Sequence, residues 1–151
     1  MSIDQAKDVT TDRNAYNYAT QVRVRLSETD AVGIAFFGSF SGWMDVGRMD
    51  YLNHLGLAPK DAPVPGLIPG AVVHADVEFL SPARYNDKLI IHVRCAHIGT
   101  TSYTLHFLFR HMGAGGEVAR GALTLTWLDD EFRPKPVSEE FRTAVASFEG
   151  Y

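Results

Sequence analysis

Residues 39–55, SFSGWMDVGRMDYLNHL, decide the fold. Phe40, Trp43, Met44, Gly47, Tyr51 and Leu55 fall at i, i+3, i+4, i+7, i+11 and i+15, a single apolar stripe at the helical period. Ser39 or Gly38 can supply the N-cap, and Gly56 follows the last apolar residue where a left-handed C-cap belongs. The spacing predicts one helix over 39–55. Large aromatics beside a glycine are the pattern of a buried helix laid against a curved sheet.

Outward from that helix the period changes. Before it, QVRVRL (21–26) alternates Val22, Val24 and Leu26 with Arg23 and Arg25, a half-buried strand. Residues 1–18 are polar and aperiodic and read as a flexible N-terminal tail, which leaves 19–151 as a single domain. After it, LAPKDAPVPGLIPG (57–70) carries four prolines and reads as an irregular connection whose Leu67 and Ile68 could wall a pocket. From Ala71 the pattern is period two. AVVHADVEFL (71–80), KLIIHVRCAH (88–97), TSYTLHFLFRHM (101–112) and EVARGALTLTWL (117–128) are four candidate strands. Their short breaks, SPARYND, IGTT and GAGG, predict a meander of antiparallel neighbours. SEEFRTAVASF (138–148) opens with a serine cap and acidic residues, a short terminal helix. The expected class is α+β: an antiparallel sheet wrapped around one long central helix, with a short C-terminal helix.

Composition narrows the chemistry. A chain of 151 residues with 46% apolar side chains can build one core without disulfides or a structural metal. With 14 Lys+Arg against 18 Asp+Glu the net charge is −4, which argues against a nucleic-acid binder. The single cysteine, Cys95, cannot pair within the chain and sits among alternating apolar residues as buried filler. No apolar run approaches the ~20 residues of a membrane span, and a cytoplasmic protein is expected. The histidines form no HxH pair, and His106 and His111 lie an odd number apart on one strand, so they point to opposite faces. HExxH, CxxC, GxSxG, P-loop and GxGxxG patterns are absent, so no metal or nucleotide cofactor is expected.

What remains is the strand-to-helix junction, SETDAVGIAFFGSF (27–40). Glu28 and Asp30 follow a strand, and an apolar segment carries the chain into the helix start. Helix N-termini present unpaired N–H groups and positive potential, which suit a developing oxyanion. An aspartate beside such donors can attack a carbonyl or activate water. The same residue types also suit an aspartate that merely caps the turn.

The run VRLSETDAVGIAFFGSFSGWMDVGRMDYLNHLGL (24–57) resembles the N-terminal half of the 4-hydroxybenzoyl-CoA thioesterase family of the hotdog superfamily. Asp30 and Gly33 match the second Asp and the Gly of that family's D-x-D-x-x-G turn, Asp45 and Arg48 match its helix, and Gly56-Leu57 match the helix exit. SPARYNDKLIIHVR (81–94) is similar to its P-x-R-x-G-D segment, and the likeness covers nearly all of the chain after about residue 20. The resemblance implies a hotdog fold and hydrolysis of an acyl-CoA thioester, with CoA as part of the substrate and no other cofactor. It implies Asp30 as nucleophile or general base and the Phe37 backbone N–H as the group that polarises the carbonyl. It further implies substrate contacts at Gly33, Phe36, Trp43 and Asp45. Arg84 and Arg110 are candidates for the CoA phosphates, because the loop HIGTTS (97–102) lacks the basic cluster of some aryl-CoA members.

Trp43-Met44-Asp45 resembles the aromatic-acyl branch, so a benzoyl- or hydroxybenzoyl-CoA is expected. The alternatives are an aliphatic acyl-CoA or acyl-carrier-protein thioesterase, and a non-catalytic acyl-CoA binding protein. Open sheet edges and an open outer face imply a homodimer or homotetramer. Three positions depart from the family: Glu28 stands for the first Asp, Ser39-Phe40 for Asn-Tyr, and Asn86 for the later Gly.

Overall fold

The stripe at 39–55 forms helix α1 (Ser39–His54) in the computed structural model, which describes residues 5–57, 70–113 and 115–151. Phe40, Trp43, Met44, Gly47, Tyr51 and Leu52 are buried, Gly38 is the N-cap, and Gly56 takes φ 72° just past the Leu55 C-cap. Gly47 sits where α1 comes down on the sheet. A Cβ there would stand 3.1 Å from methyl groups of Ile91 and Val93, tighter than side chains normally pack.

The sheet has five antiparallel strands: β1 (Tyr18–Arg23), β2 (Ala71–Phe79), β3 (Lys88–Ile98), β4 (Ser102–His111) and β5 (Glu117–Thr126), in the order β1-β3-β4-β5-β2. Ile91, Val93, Leu105, Phe107, Phe109 and Leu125 on the inner face form one core with α1. Helix α2 (Glu139–Glu149) closes that core with Phe141 and Val145, and the Ser138 hydroxyl caps it by accepting the Phe141 N–H. The fold is the expected hotdog arrangement, and Cys95 is buried filler.

Four details depart from the sequence reading. The meander holds for β3-β4-β5 alone, because β2 pairs with β5 (Asp76 opposite Ala122) and β3 pairs with β1 (Thr20 opposite Ile91). The segment 80–87 therefore crosses from the β2 edge of the sheet to β3, which lies next to the β1 edge. It is bonded on the way to Val118, to Ala35 and, through the Asn86 N–H, to the Val24 carbonyl. Asn86 adopts φ 70°, a left-handed conformation that asparagine tolerates better than most residues, which explains how it replaces a glycine. Strand β1 stops at Arg23, where its β3 partner begins, so Leu26 is 71% exposed in a 3-10 turn (Leu26–Glu28) and does not share a buried face with Val22 and Val24.

The segment before β1 is not a loose tail over residues 5–17. It makes 3-10 turns at Ala6–Asp8 and Arg13–Ala15 and buries Val9 and Tyr16 with Leu108 and Ala122 on the outer face of the sheet. The Ala6 N–H donates to Asp76 (2.9 Å), and Arg120 donates to the Val9 carbonyl (3.1 Å). Three widely spaced apolar residues carry no period, so the packing leaves no signal in the sequence. Leu67 and Ile68, and Ala114 in the GAGG break, lie outside the described residues.

Candidate active site

Beyond β1 the chain folds into a small loop in front of the first turn of α1. The Gly33 N–H donates to the Asp30 carbonyl (3.0 Å), the Asp30 N–H to the Ile34 carbonyl (2.9 Å), and the Val32 N–H to Asp30 Oδ1 (2.9 Å). Gly33 closes this turn at φ 91° with nothing near its α-carbon, so its contribution is conformational. A bridge between Thr29 and Ala35 and a bond from the Phe36 N–H to the Glu28 carbonyl (3.0 Å) bring the chain back alongside itself. Phe37 comes immediately before the Gly38 cap. Among the described residues its N–H has no hydrogen-bond acceptor.

Asp30 and Phe37 line one cleft of about 560 Å³. Ile34, Ala35 and Phe40 form its wall on the helix side, and Phe79, Leu80, Ser81 and Pro82 form the other. Phe40 anchors the floor, edge-on to Phe79 (5.1 Å between centroids) and to Phe109 (5.3 Å). The second wall is pinned from behind: the Ser81 hydroxyl donates to the Glu117 carbonyl (2.6 Å), and His111 Nε2 lies 3.2 Å from the Pro82 carbonyl. The cleft is apolar with one carboxylate at its rim, and in the single chain Asp30 is exposed to solvent on its open side.

Under the loop sits Glu28. Its carboxylate accepts the Arg25 N–H (2.8 Å) and the Trp43 indole Nε1–H (2.8 Å), and only 14% of its side chain is exposed. Burial opposes its ionisation. The hydrogen bonds from Arg25 and Trp43 and the Arg25 charge outweigh that and hold the carboxyl below the usual carboxylate range.

Asp30, Gly33 and Phe37 thus converge, and the other expected contacts do not join them in the single chain. Phe36 turns its ring over Gly38, so close that a Cβ there would collide with it, and does not line the cleft. Trp43 is buried and spends its N–H on Glu28. Asp45 is 66% exposed on the outward flank of α1, 3.5 Å from Arg48. Arg84 lies exposed in the crossing segment beside Ala83, and its N–H donates to Asp87 (2.8 Å). Arg110 is on the outer face, where it donates to His92 Nε2 (2.9 Å), because strand alternation sends it opposite to Phe109. Phe79 and Pro82 were not singled out in the sequence. The sequence signal for Phe79 is a large aromatic at the end of a period-two segment.

Residues 32–113 match the sequence profile of the thioesterase superfamily. The chain belongs to that superfamily. Membership places it among thioester hydrolases, in keeping with the resemblance to the 4-hydroxybenzoyl-CoA branch. It is 31% identical over 104 residues to a 1,4-dihydroxy-2-naphthoyl-CoA hydrolase of Synechococcus sp. (strain RCC307), a match spanning 65% of this chain and 76% of the relative. It is 24% identical to a chloroplastic acyl-acyl carrier protein thioesterase of Arabidopsis thaliana, over 87% of this chain and 68% of that one. A candidate acyl-CoA thioesterase of Bacillus subtilis matches at 29% over about half the length of each protein (48% and 51%). The structure of a gentisyl-coenzyme A thioesterase superposes with a TM-score of 0.73 at 26% identity, covering 85% of this chain and 99% of the other. That of a 4-hydroxybenzoyl-CoA thioesterase complexed with 4-hydroxybenzoyl-CoA superposes with a TM-score of 0.75 at 17% identity, over 85% and 97% of the chains, and at that identity attests the fold. Among the described residues no helix is long and apolar enough to cross a membrane.

Proposed function

We propose that this protein hydrolyses an acyl-CoA thioester to the free acid and CoA, with an aromatic acyl group as substrate. The observation that carries the proposal is that Asp30 and Phe37, whose N–H has no acceptor among the described residues, line one apolar cleft. The thioester carbonyl oxygen accepts the Phe37 N–H, and Asp30 acts on the carbonyl carbon from its open side. Such a donor, aimed at a developing oxyanion, is worth about 3 kcal/mol of barrier. A thiolate leaves more readily than an amine, so no acid triad is required.

Two routes fit Asp30. As general base it takes a proton from water while the water oxygen bonds to the acyl carbon and the C–S bond breaks. As nucleophile it forms an acyl–aspartyl anhydride with release of the thiolate, and water then opens the anhydride. Single-turnover hydrolysis in 18O-water that leaves label in Asp30 identifies the anhydride route, because a general base exchanges no oxygen with water. The aromatic reading rests on Phe37, Phe40 and Phe79 around the cleft, whose ring faces and edges suit a flat acyl group. Relatives that act on aryl-CoA and on acyl-carrier-protein esters leave the aliphatic alternative to experiment.

A second copy of the chain completes the arrangement in this proposal. Among the described residues strand β2 is an edge of the sheet that leaves Val72 49% and Val73 62% exposed, and its far end carries the cleft residue Phe79. A partner laid on that edge covers it, shields the open side of Asp30, and brings a second cleft within reach of the outward Asp45. The decisive experiment is Asp30→Asn assayed by thiol release with benzoyl-CoA and hexanoyl-CoA. Turnover is expected to fall about 10³-fold or more with the fold intact. Hydrolysis at the native rate would end the proposal, and equal kcat/KM for both esters in the unmodified protein would end its aromatic part.

A further inference from the structure

We infer that Glu28 and Trp43 form a positioning pair that sets the Asp30 carboxylate against the Phe37 N–H, an inference resting on the catalytic reading of Asp30. Neither residue lines the cleft. Glu28 instead accepts five bonds from the parts of the chain that frame it, one of them from the Arg25 guanidinium (3.3 Å). Its side chain takes the Arg25 N–H at the end of the strand segment and the Trp43 indole in the second turn of α1, both at 2.8 Å. Its carbonyl takes the Phe36 N–H (3.0 Å) and the Ser39 hydroxyl (2.9 Å).

Those partners flank the reacting pair on both sides. Asp30 follows Glu28 by two residues, Phe36 immediately precedes Phe37, and Ser39 is the first residue of the helix. Trp43 cannot yield, because it is buried and packed edge-on against Phe40 (4.8 Å), the ring that floors the cleft. The loop bearing Asp30 is therefore registered to the helix through Glu28, by its carboxylate to Trp43 and its carbonyl to Ser39. This is where the chain departs from the motif it resembles. An aspartate at 28 is shorter by one methylene, about 1.5 Å, so Glu28→Asp tests the reach from the loop to the indole.

Misplacement of a reacting group by about 1 Å can cost up to 10²-fold in rate without weakening substrate binding, and this governs the expected result. Glu28→Gln, Glu28→Asp, Trp43→Phe, the Glu28→Gln/Trp43→Phe double variant and Asp30→Asn are compared by thiol release from benzoyl-CoA, with melting curves to normalise for folded protein. Trp43→Phe, Glu28→Gln and Glu28→Asp are each expected to lower kcat about tenfold with KM within about twofold, and the double variant to be no worse than either single. A purely structural role would lower melting temperature while leaving kcat per folded molecule unchanged. Native kcat in the folded single variants, or losses that multiply in the double, would overturn the inference. Should Glu28→Gln fail to fold, Trp43→Phe decides alone. Loss of activity in Asp30→Asn with native kcat in Trp43→Phe would remove only the positioning pair. Native activity in Asp30→Asn would remove both readings.

Discussion

The two ends of α1 are built to opposite specifications. At the C-terminal end Tyr51 is fully buried and its hydroxyl donates to Glu149 Oε2 (2.6 Å), which also accepts the Cys95 N–H (2.9 Å). The His54 ring lies between Tyr18 (5.0 Å) and Phe148 (5.4 Å), and the Tyr151 hydroxyl donates to the Cys95 carbonyl (3.1 Å). At the N-terminal end Asp30 faces solvent, Phe37 is 77% exposed and the Phe37 N–H has no acceptor among the described residues. One end is satisfied bond by bond and the other is left open. Hydrogen-bonding capacity left to water beside an apolar cleft is available to whatever binds there.

That contrast can be broken by exchanging effects between the ends. Asp30→Asn should give the largest change, the ~10³-fold loss of turnover, with a melting temperature like that of the unmodified protein. Tyr51→Phe should do the reverse. Removing the buried hydroxyl that donates to Glu149 should cost about 1–3 kcal/mol of stability by chemical denaturation and leave kcat/KM unchanged. A Tyr51→Phe protein that melts normally and turns over slowly would invert the assignment of the two ends.

The closed end also has a signature in alkali. Burial, then the Glu149 acceptor and its charge, raise the Tyr51 hydroxyl far above its usual value near 10. Because the folded state keeps that proton and the unfolded state loses it, the stabilisation is fully present below about pH 10 and drains away as pH rises beyond it. Ultraviolet titration should show Tyr51 ionising only as the protein unfolds. Removal of the hydroxyl in Tyr51→Phe should flatten the loss of melting temperature above pH 10. The smallest effect is expected at Asp45. Its 3.5 Å pair with Arg48 is open to solvent on the Asp45 side, so Asp45→Ala should change stability by no more than about 1 kcal/mol. A severalfold shift in preference between hydroxybenzoyl-CoA and benzoyl-CoA would place Asp45 at a neighbouring subunit's cleft. No shift would confine it to the surface pair.

Legibility followed periodicity. The α1 stripe, the four period-two segments after Ala71 and the serine-capped terminal helix were readable because each side chain's face is set by its own element. The position of Asp30 before a helix start was readable for the same reason, since it is a matter of order along the chain. Trp43 could be placed in the stripe, but its bond to Glu28, fifteen residues away, could not be inferred from spacing. Arg110 shows the limit most plainly. A cation near the right strand end was a reasonable phosphate ligand, and one step of strand alternation put it on the other face with His92.

The amino-acid order by itself determined which segments are helix and strand, which faces are apolar, and that a carboxylate precedes the mouth of the long helix. Only the tertiary structure decided that β2 leaves its sequence neighbour to pair with β5, and that residues 6–16 pack down on the outer face. It also decided that Phe79 and Pro82 face Asp30 across a cleft. The reason is physical: periodicity encodes the direction of a side chain relative to its own backbone, whereas a site is made of distances between elements. Those distances are set by long-range pairing and core packing, which no local pattern contains.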